Sequence, residues 1–181
     1  FSFTFEFCIK NSIRSENSEL VNESIKYCTE LIDCDHSILS ENCSNIPGFL
    51  DDLLSSIKSD NDDIYDSLID LFISIVKSFY CESPTFIEKI SLLIENYLNP
   101  NSKASKRIIK SIYFWHKIAE FEKKKIEKVK IDEKLNRKTP AEQRPLEPLL
   151  IEAVKEKLIP IMIYFIEDID EKNIDVEKID I

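Results

Sequence analysis

The chain has 181 residues, 43% of them hydrophobic and 32% charged, with 34 acids against 24 bases and a net charge of −10. Its single glycine, Gly48, argues against turn-rich all-β folds and the phosphate loops of nucleotide-binding α/β folds, since both rely on glycine for positive φ or close approach. An acidic chain repels nucleic-acid phosphates, so no nucleic-acid partner is expected, and no apolar run is long enough for a membrane span.

The first seven residues, Phe1 to Phe7, are apolar at alternate positions, as in a short strand or a truncated helix. They are too few, and lack the basic flank, for a signal peptide. The opening residue is Phe1 and not Met, which fits a piece of a longer protein. From residue 15 the helix signals are clear. Asn17 or Ser18 can cap a helix whose stripe is Leu20, Val21, Ile25, Cys28, Leu31 and Ile32, at steps of three and four. A turn-rich stretch from Asp33 to Asn45 leads to Ile46-Pro47-Gly48, where proline suits the first turn of a second helix. That helix carries Phe49, Leu50, Leu53, Leu54 and Ile57.

Asp60, Asn61 and Asp62 offer caps and dipole partners for the next helix. Its apolar positions are Ile64, Leu68, Ile69, Leu71, Phe72, Ile75, Val76 and Phe79, and it should stop around Cys81–Ser83. Ser83-Pro84 opens its partner, with Phe86, Ile87, Ile90, Leu93, Ile94, Tyr97 and Leu98, ending at Asn99-Pro100. So short a connection makes these two helices antiparallel neighbours. A third pair begins at Asn101-Ser102. Its first helix sets Ile108, Ile109, Ile112, Trp115, Ile118 and Ala119 inward and can continue through Phe121, Ile126 and Val129. A polar connector from Thr139 to Pro148 leads to a last helix with Leu149, Leu150, Val154, Leu158, Ile161, Met162 and Phe165, bent at Pro160.

The fold class is therefore all-α, with helix pairs at about 18–59, 62–98 and 102–167. The pairs recur. A shift of 40 residues lays Leu68, Ile69, Phe72 and Ile75 over Ile108, Ile109, Ile112 and Trp115, and a shift of 37 lays Pro47-Gly48-Phe49 over Pro84-Thr85-Phe86. A two-helix unit of about forty residues has the HEAT or armadillo length, and such units bury their inner faces by stacking into a solenoid. A compact six-helix bundle is the alternative.

Charge is uneven along the chain. Residues 1–100 carry 6 bases and 18 acids, residues 101–140 carry 13 and 5, and residues 141–181 carry 5 and 11. The basic stretch reads as a solvated helix face or loop.

Chemistry-bearing motifs are scarce. The cysteines Cys8, Cys28, Cys34, Cys43 and Cys81 have no Cys-x-x-Cys spacing, and Cys34, His36 and Cys43 fall short of a four-ligand zinc set. Reduced thiols in a soluble, intracellular protein are expected, with no metal and no cofactor. Nucleophile elbow, Walker and HExxH motifs are absent. His116 is expected at a helix's solvent edge, His36 in a turn, and the acid pairs Asp51-Asp52 and Asp62-Asp63 read as caps, so a binding scaffold is expected and an enzyme is not.

The stretch Ile108 to Glu120, with Phe114-Trp115 inside it, resembles the first helix of a HEAT repeat in importin-β-type nuclear transport receptors. Glu156 to Ile163, with Pro160 among apolar residues, is similar to that repeat's second helix, across a connector placed at residues 122–147. Residues 62–170 carry the resemblance. A departure is the basic run Lys123 to Lys138, where the family tends to be acidic. The resemblance implies protein partners: cargo or adaptor, the GTPase Ran, and FG nucleoporins. It also implies a place in cytoplasm and nucleus and at the nuclear envelope. It implies that second helices face the partner, which nominates Asp51, Asp52, Glu88, Glu95, Glu152 and Glu156. Glu167, Asp168 and Asp170 partly match the family's acidic loop. Acidic residues there suit basic localisation signals. Two other readings stay open: a HEAT scaffold subunit of a phosphatase or chromatin complex, and a small helical bundle whose Lys-rich 103–138 segment binds acidic membranes or RNA.

Overall fold

The computed structural model describes residues 15–34, 62–80, 90 and 105–163, apart from Ala153, Lys157 and Ile161. Among these, regular structure is helical throughout: α1 (Ser18–Cys34), α2 (Asp62–Ser78) and α3 (Ser105–Lys134), a 3-10 turn at Ala141–Gln143, and helical residues from 150 to 163. The expected second helices at 46–59 and 84–98 lie outside the described residues, except for Ile90, which is fully buried.

α1 starts where the sequence asks for a cap. The Asn17 side-chain Oδ1 accepts from the backbone N–H groups of Glu19 (3.0 Å) and Leu20 (3.2 Å), satisfying two donors that have no intrahelical partner. Val21, Ile25, Cys28, Leu31 and Ile32 are buried as expected. Leu20 is not: it keeps 46% of its surface in solvent. Its place on the inner face is taken by Ser24, whose hydroxyl donates to the Leu20 carbonyl at 2.7 Å, so a small polar residue is buried with its hydrogen bond made.

α2 is the hub. Asp62 and Asp63 stand in its first turn and Lys77 in its last, both favourable to the helix dipole. Beyond the expected stripe, Tyr65, Ser67, Ile73 and Ser74 are buried too, because α2 has a neighbour on each side. Phe79 is only partly buried, and the α-helix ends at Ser78, slightly ahead of the expected stop. Each fully buried Leu, Ile or Phe is worth about 1.5–3 kcal/mol of transfer free energy.

Specific contacts fix the direction of the neighbours. Ser67 Oγ donates to Asn22 Oδ1 at 2.5 Å, and farther along, Thr29 and Asp33 of α1 line one cleft with Ser74 and Lys77 of α2. α1 and α2 therefore run parallel. On the other side Arg107 Nε donates to Asp62 Oδ1 (2.6 Å), Tyr65 and Ser111 share a buried hydroxyl pair (2.7 Å), and Tyr80 meets Glu122 (2.6 Å). Both partners advance together, so α2 and α3 are parallel as well. Three helices in sequence order stand side by side in one direction.

α3 is longer than its neighbours. Ile108, Phe114, Trp115 and Ile118 are buried, while Ile109 and Ala119 are only partly so. Phe114 and Trp115 meet edge to face at 4.9 Å. The helix continues to Lys134, so the expected connector at 122–147 is corrected: residues 122–134 are helix and the irregular link follows them. Asn136 (φ 52°) ends it. The N–H groups of Asn136 and Arg137 donate to the carbonyls of Glu133 (3.1 Å) and Asp132 (2.8 Å), the Schellman arrangement. In the last helix Leu150 and Leu158 are buried and Pro160 is accommodated, but Met162, expected inward, is exposed at 38%.

Candidate functional site

Two features of the described residues combine polar chemistry with built geometry. The first is an open cleft of about 510 Å³ across the three parallel helices. Its floor is Ile73 and Ser74 of α2, with Tyr113 and Phe121 contributed by α3. Around it stand three acids, Asp33, Asp70 and Glu120, and three lysines, Lys77, Lys117 and Lys124. Small-molecule pockets are mostly apolar with a few polar groups. This lining inverts that balance, so the cleft suits a polar ligand better than an apolar one.

Charges at the rim are partly engaged with each other. Lys117 Nζ bonds Glu120 Oε2 at 3.0 Å, and His116 Nε2 lies 3.7 Å from Glu120 Oε1. That bond raises the Lys117 pKa and lowers that of Glu120. Asp70 differs: burial among the three helices pushes its carboxyl above the ordinary aspartate value, with Lys110 opposing. By surface area the same residue is exposed, so water on the open side screens the effect.

The second feature is a buried carboxylate. Glu122, 1% exposed, sits on α3 one turn beyond Ile118. Its Oε1 accepts the Tyr80 hydroxyl (2.6 Å) and the Leu150 N–H (2.7 Å), and its Oε2 accepts the Ile151 N–H (3.3 Å). A carboxylate at a helix N-terminus meets unsatisfied donors and the positive dipole end together. Tyr80 Oη in turn accepts the Leu146 N–H at 3.1 Å, and Lys125 Nζ lies 4.9 Å from the Tyr80 ring centre. One acid thus ties the start of the last helix to α3 and to the end of α2. This is a structural joint.

Of the nominated partner-binding acids, Glu152 and Glu156 fall in the described part. Both are exposed, and Glu152 is ion-paired with Lys155 one turn on. Asp51, Asp52, Glu88, Glu95, Glu167, Asp168 and Asp170 lie outside the described residues, as do His36 and Cys43. Cys34 is an exposed thiol, and the Cys28 thiol is buried in the core. His116 sits at the solvent edge. Among the described residues no group of three His, Cys, Asp or Glu side chains is placed to hold a metal, and no helix is long and apolar enough to cross a membrane.

No family model, curated protein or solved structure matches this chain.

Glu122 and Tyr80 were absent from the nominated residues. A signal for Glu122 existed: Trp115, Ile118 and Glu122 follow at steps of three and four, so an acid occupies a core position of the stripe. Nothing in the local sequence points to its partners, which come from 42 residues before it and 28 after.

Proposed function

We propose that this chain is a segment of an α-solenoid that serves as a protein-binding scaffold. The observation that carries this reading is that α1, α2 and α3 run parallel and pack directly side by side. In an up-and-down bundle the helices that touch along their length are antiparallel. Repeating helix pairs instead stack first helix on first helix, all pointing one way. The offsets agree with such a repeat, with Asn22 against Ser67 and Asp62 against Arg107 each 45 residues apart. Parallel neighbours need a return path, and residues 35–61 and 79–104 are long enough to travel the ~25 Å of a 17-residue helix. Small-angle scattering tests the reading. A compact globule of this length has a radius of gyration of about 16 Å, and a measured value at that figure sinks the solenoid.

The narrower proposal within it is a nuclear transport receptor of the importin-β type, binding cargo or adaptor, Ran and FG nucleoporins. It is supported by the order of Phe114-Trp115 on one helix and Pro160 within the next. A pull-down with Ran-GTP and FG peptides tests it, using the full-length parent protein. No binding there rejects the narrower proposal and leaves the scaffold standing.

A further inference from the structure

The two outer helices of the parallel set present opposite kinds of surface. On α1 the side turned away from the core carries Leu20, Glu23, Tyr27, Glu30 and Cys34 at steps of three and four, all exposed. Leu20 and Tyr27 keep 46% and 36% of their surface in solvent. The helix holds four acids and one lysine, net −3. Glu23 is tied to Lys26 by an exposed ion pair (2.9 Å), while Glu30 has no ion pair among the described residues.

The other surface is the arm of α3. Because Tyr80, at the end of α2, stands against Glu122, α3 runs on for twelve residues past its neighbour, about 18 Å. Residues 123–138 hold eight bases and three acids, net +5. Along its open side Lys124, Lys128, Ile131 and Leu135 follow at steps of four, three and four, with Ile131 55% and Leu135 54% exposed. Lys124 and Lys128 have no ion pair among the described residues. The arm is braced from below. Thr139 Oγ1 bonds Asp132 Oδ2 (2.9 Å), and Arg144 Nε bonds the Thr139 carbonyl (3.1 Å). A solvated helix face does not need exposed Ile and Leu amid its lysines. Apolar residues inside a charged rim are the anatomy of an interface.

We propose that these faces meet between copies of the chain: the basic arm of α3 in one molecule docks on the acidic outer face of α1 in the next. Each face supplies two apolar residues and the complementary charge, and steps of three and four are the spacing at which helices pack along a shared seam. The two faces are different surfaces, so the contact is head-to-tail and adds copies in a row unless the rotation closes a ring. A contact of two helix faces lies below about 1,200 Å² in total, the range of weak, transient association. The net charge of −10 opposes it at long range. At about 0.1 M salt that repulsion is screened beyond ~10 Å while contacts of a few Å survive, whereas near 1 M they too are weakened.

Sedimentation equilibrium on the whole chain tests this. The expected result is an average mass that climbs with concentration past that of a dimer at about 0.1 M salt and weakens roughly tenfold or more in affinity near 1 M. Lys124→Glu with Lys128→Glu should abolish association, as should Glu23→Lys with Glu30→Lys, each variant retaining native helicity by circular dichroism. Mixing the two variants should restore association, since the native arm of one meets the native α1 face of the other and the two reversed faces are again complementary. A native chain that stays monomeric overturns the proposal. So does association indifferent to the reversals, or a mixture that fails to recover. An arm that binds polyuridylate or phosphatidylserine vesicles, with no self-association, also overturns it and assigns the surface to those polyanions.

Discussion

α2 and the arm of α3 are both helices, yet they persist for opposite reasons. α2 is apolar on nearly every side and is held by what it buries, with Phe72, Ile69 and Ile75 wholly out of solvent. The arm is rich in lysine and largely exposed. It is held by devices at its edges: the Glu122 joint at its base, the Asn136 termination at its tip and the Asp132–Thr139 bond between. Helix content alone thus says little about what a substitution will do. Location within this pair of regimes says more.

The largest effect should come from the hub. Phe72→Ala should cost about 3–5 kcal/mol in guanidinium unfolding, from lost transfer energy and a cavity no neighbour can fill. A loss under ~1 kcal/mol would mean that α2 is not the element on which the other two depend. Next comes the joint. Glu122→Ala leaves a hydroxyl and two N–H groups without their acceptor, and should cost about 2–3 kcal/mol. The loss should be local: amide exchange over residues 150–152 accelerates, while α1 and α2 keep their protection. Uniform acceleration would merge the two regimes.

Those two sites also mark what the sequence made legible. The stripe of α2 could be read from its period, but a stripe assumes one buried face. Tyr65 and Ile73 were missed because α2 has two neighbours, a fact of tertiary order that no local pattern carries. Leu20 fits the spacing of the stripe, yet the inner face turns on Val21, Ile25, Cys28 and Ile32, leaving Leu20 at the margin beside Ser24. The continuation of α3 through Ile126 and Val129 was legible from the apolar spacing, whereas the family resemblance put a connector at 122–147; lysine is a good helix former, and the break comes only at Asn136. Of the nominated site, only Glu152 and Glu156 can be compared with structure, and both are ordinary exposed acids.

Smaller effects sharpen the contrast at the border of the two regions. Asp70 has its carboxyl pKa raised in the folded chain by burial. A carboxyl raised on folding binds its proton more tightly in the native state. Stability from this group is therefore present below the ordinary aspartate value and is lost as pH rises through the folded value. Asp70→Asn should accordingly raise the melting temperature slightly at neutral pH, with the gain vanishing in acid. A gain that persists unchanged at low pH would remove titration as its cause. Least of all, Lys128→Ala on the open side of the arm should change unfolding free energy by no more than about 0.5 kcal/mol. A larger loss would show that the arm is stabilised by its own lysines and not by its edges.

The parallel order of the three helices has a consequence during synthesis. α2 finds its first neighbour already made, but its other side stays uncovered until the matching part of α3 has left the ribosome. That requires about 45 further residues, the spacing from Asp62 to Arg107. At roughly 5–20 residues per second this is a wait of about 2–9 seconds. Through it, one flank of the most apolar of the described helices is open to any chaperone or misfolded neighbour. The vulnerable moment of this molecule is thus set by the interval between helices as well as by their composition.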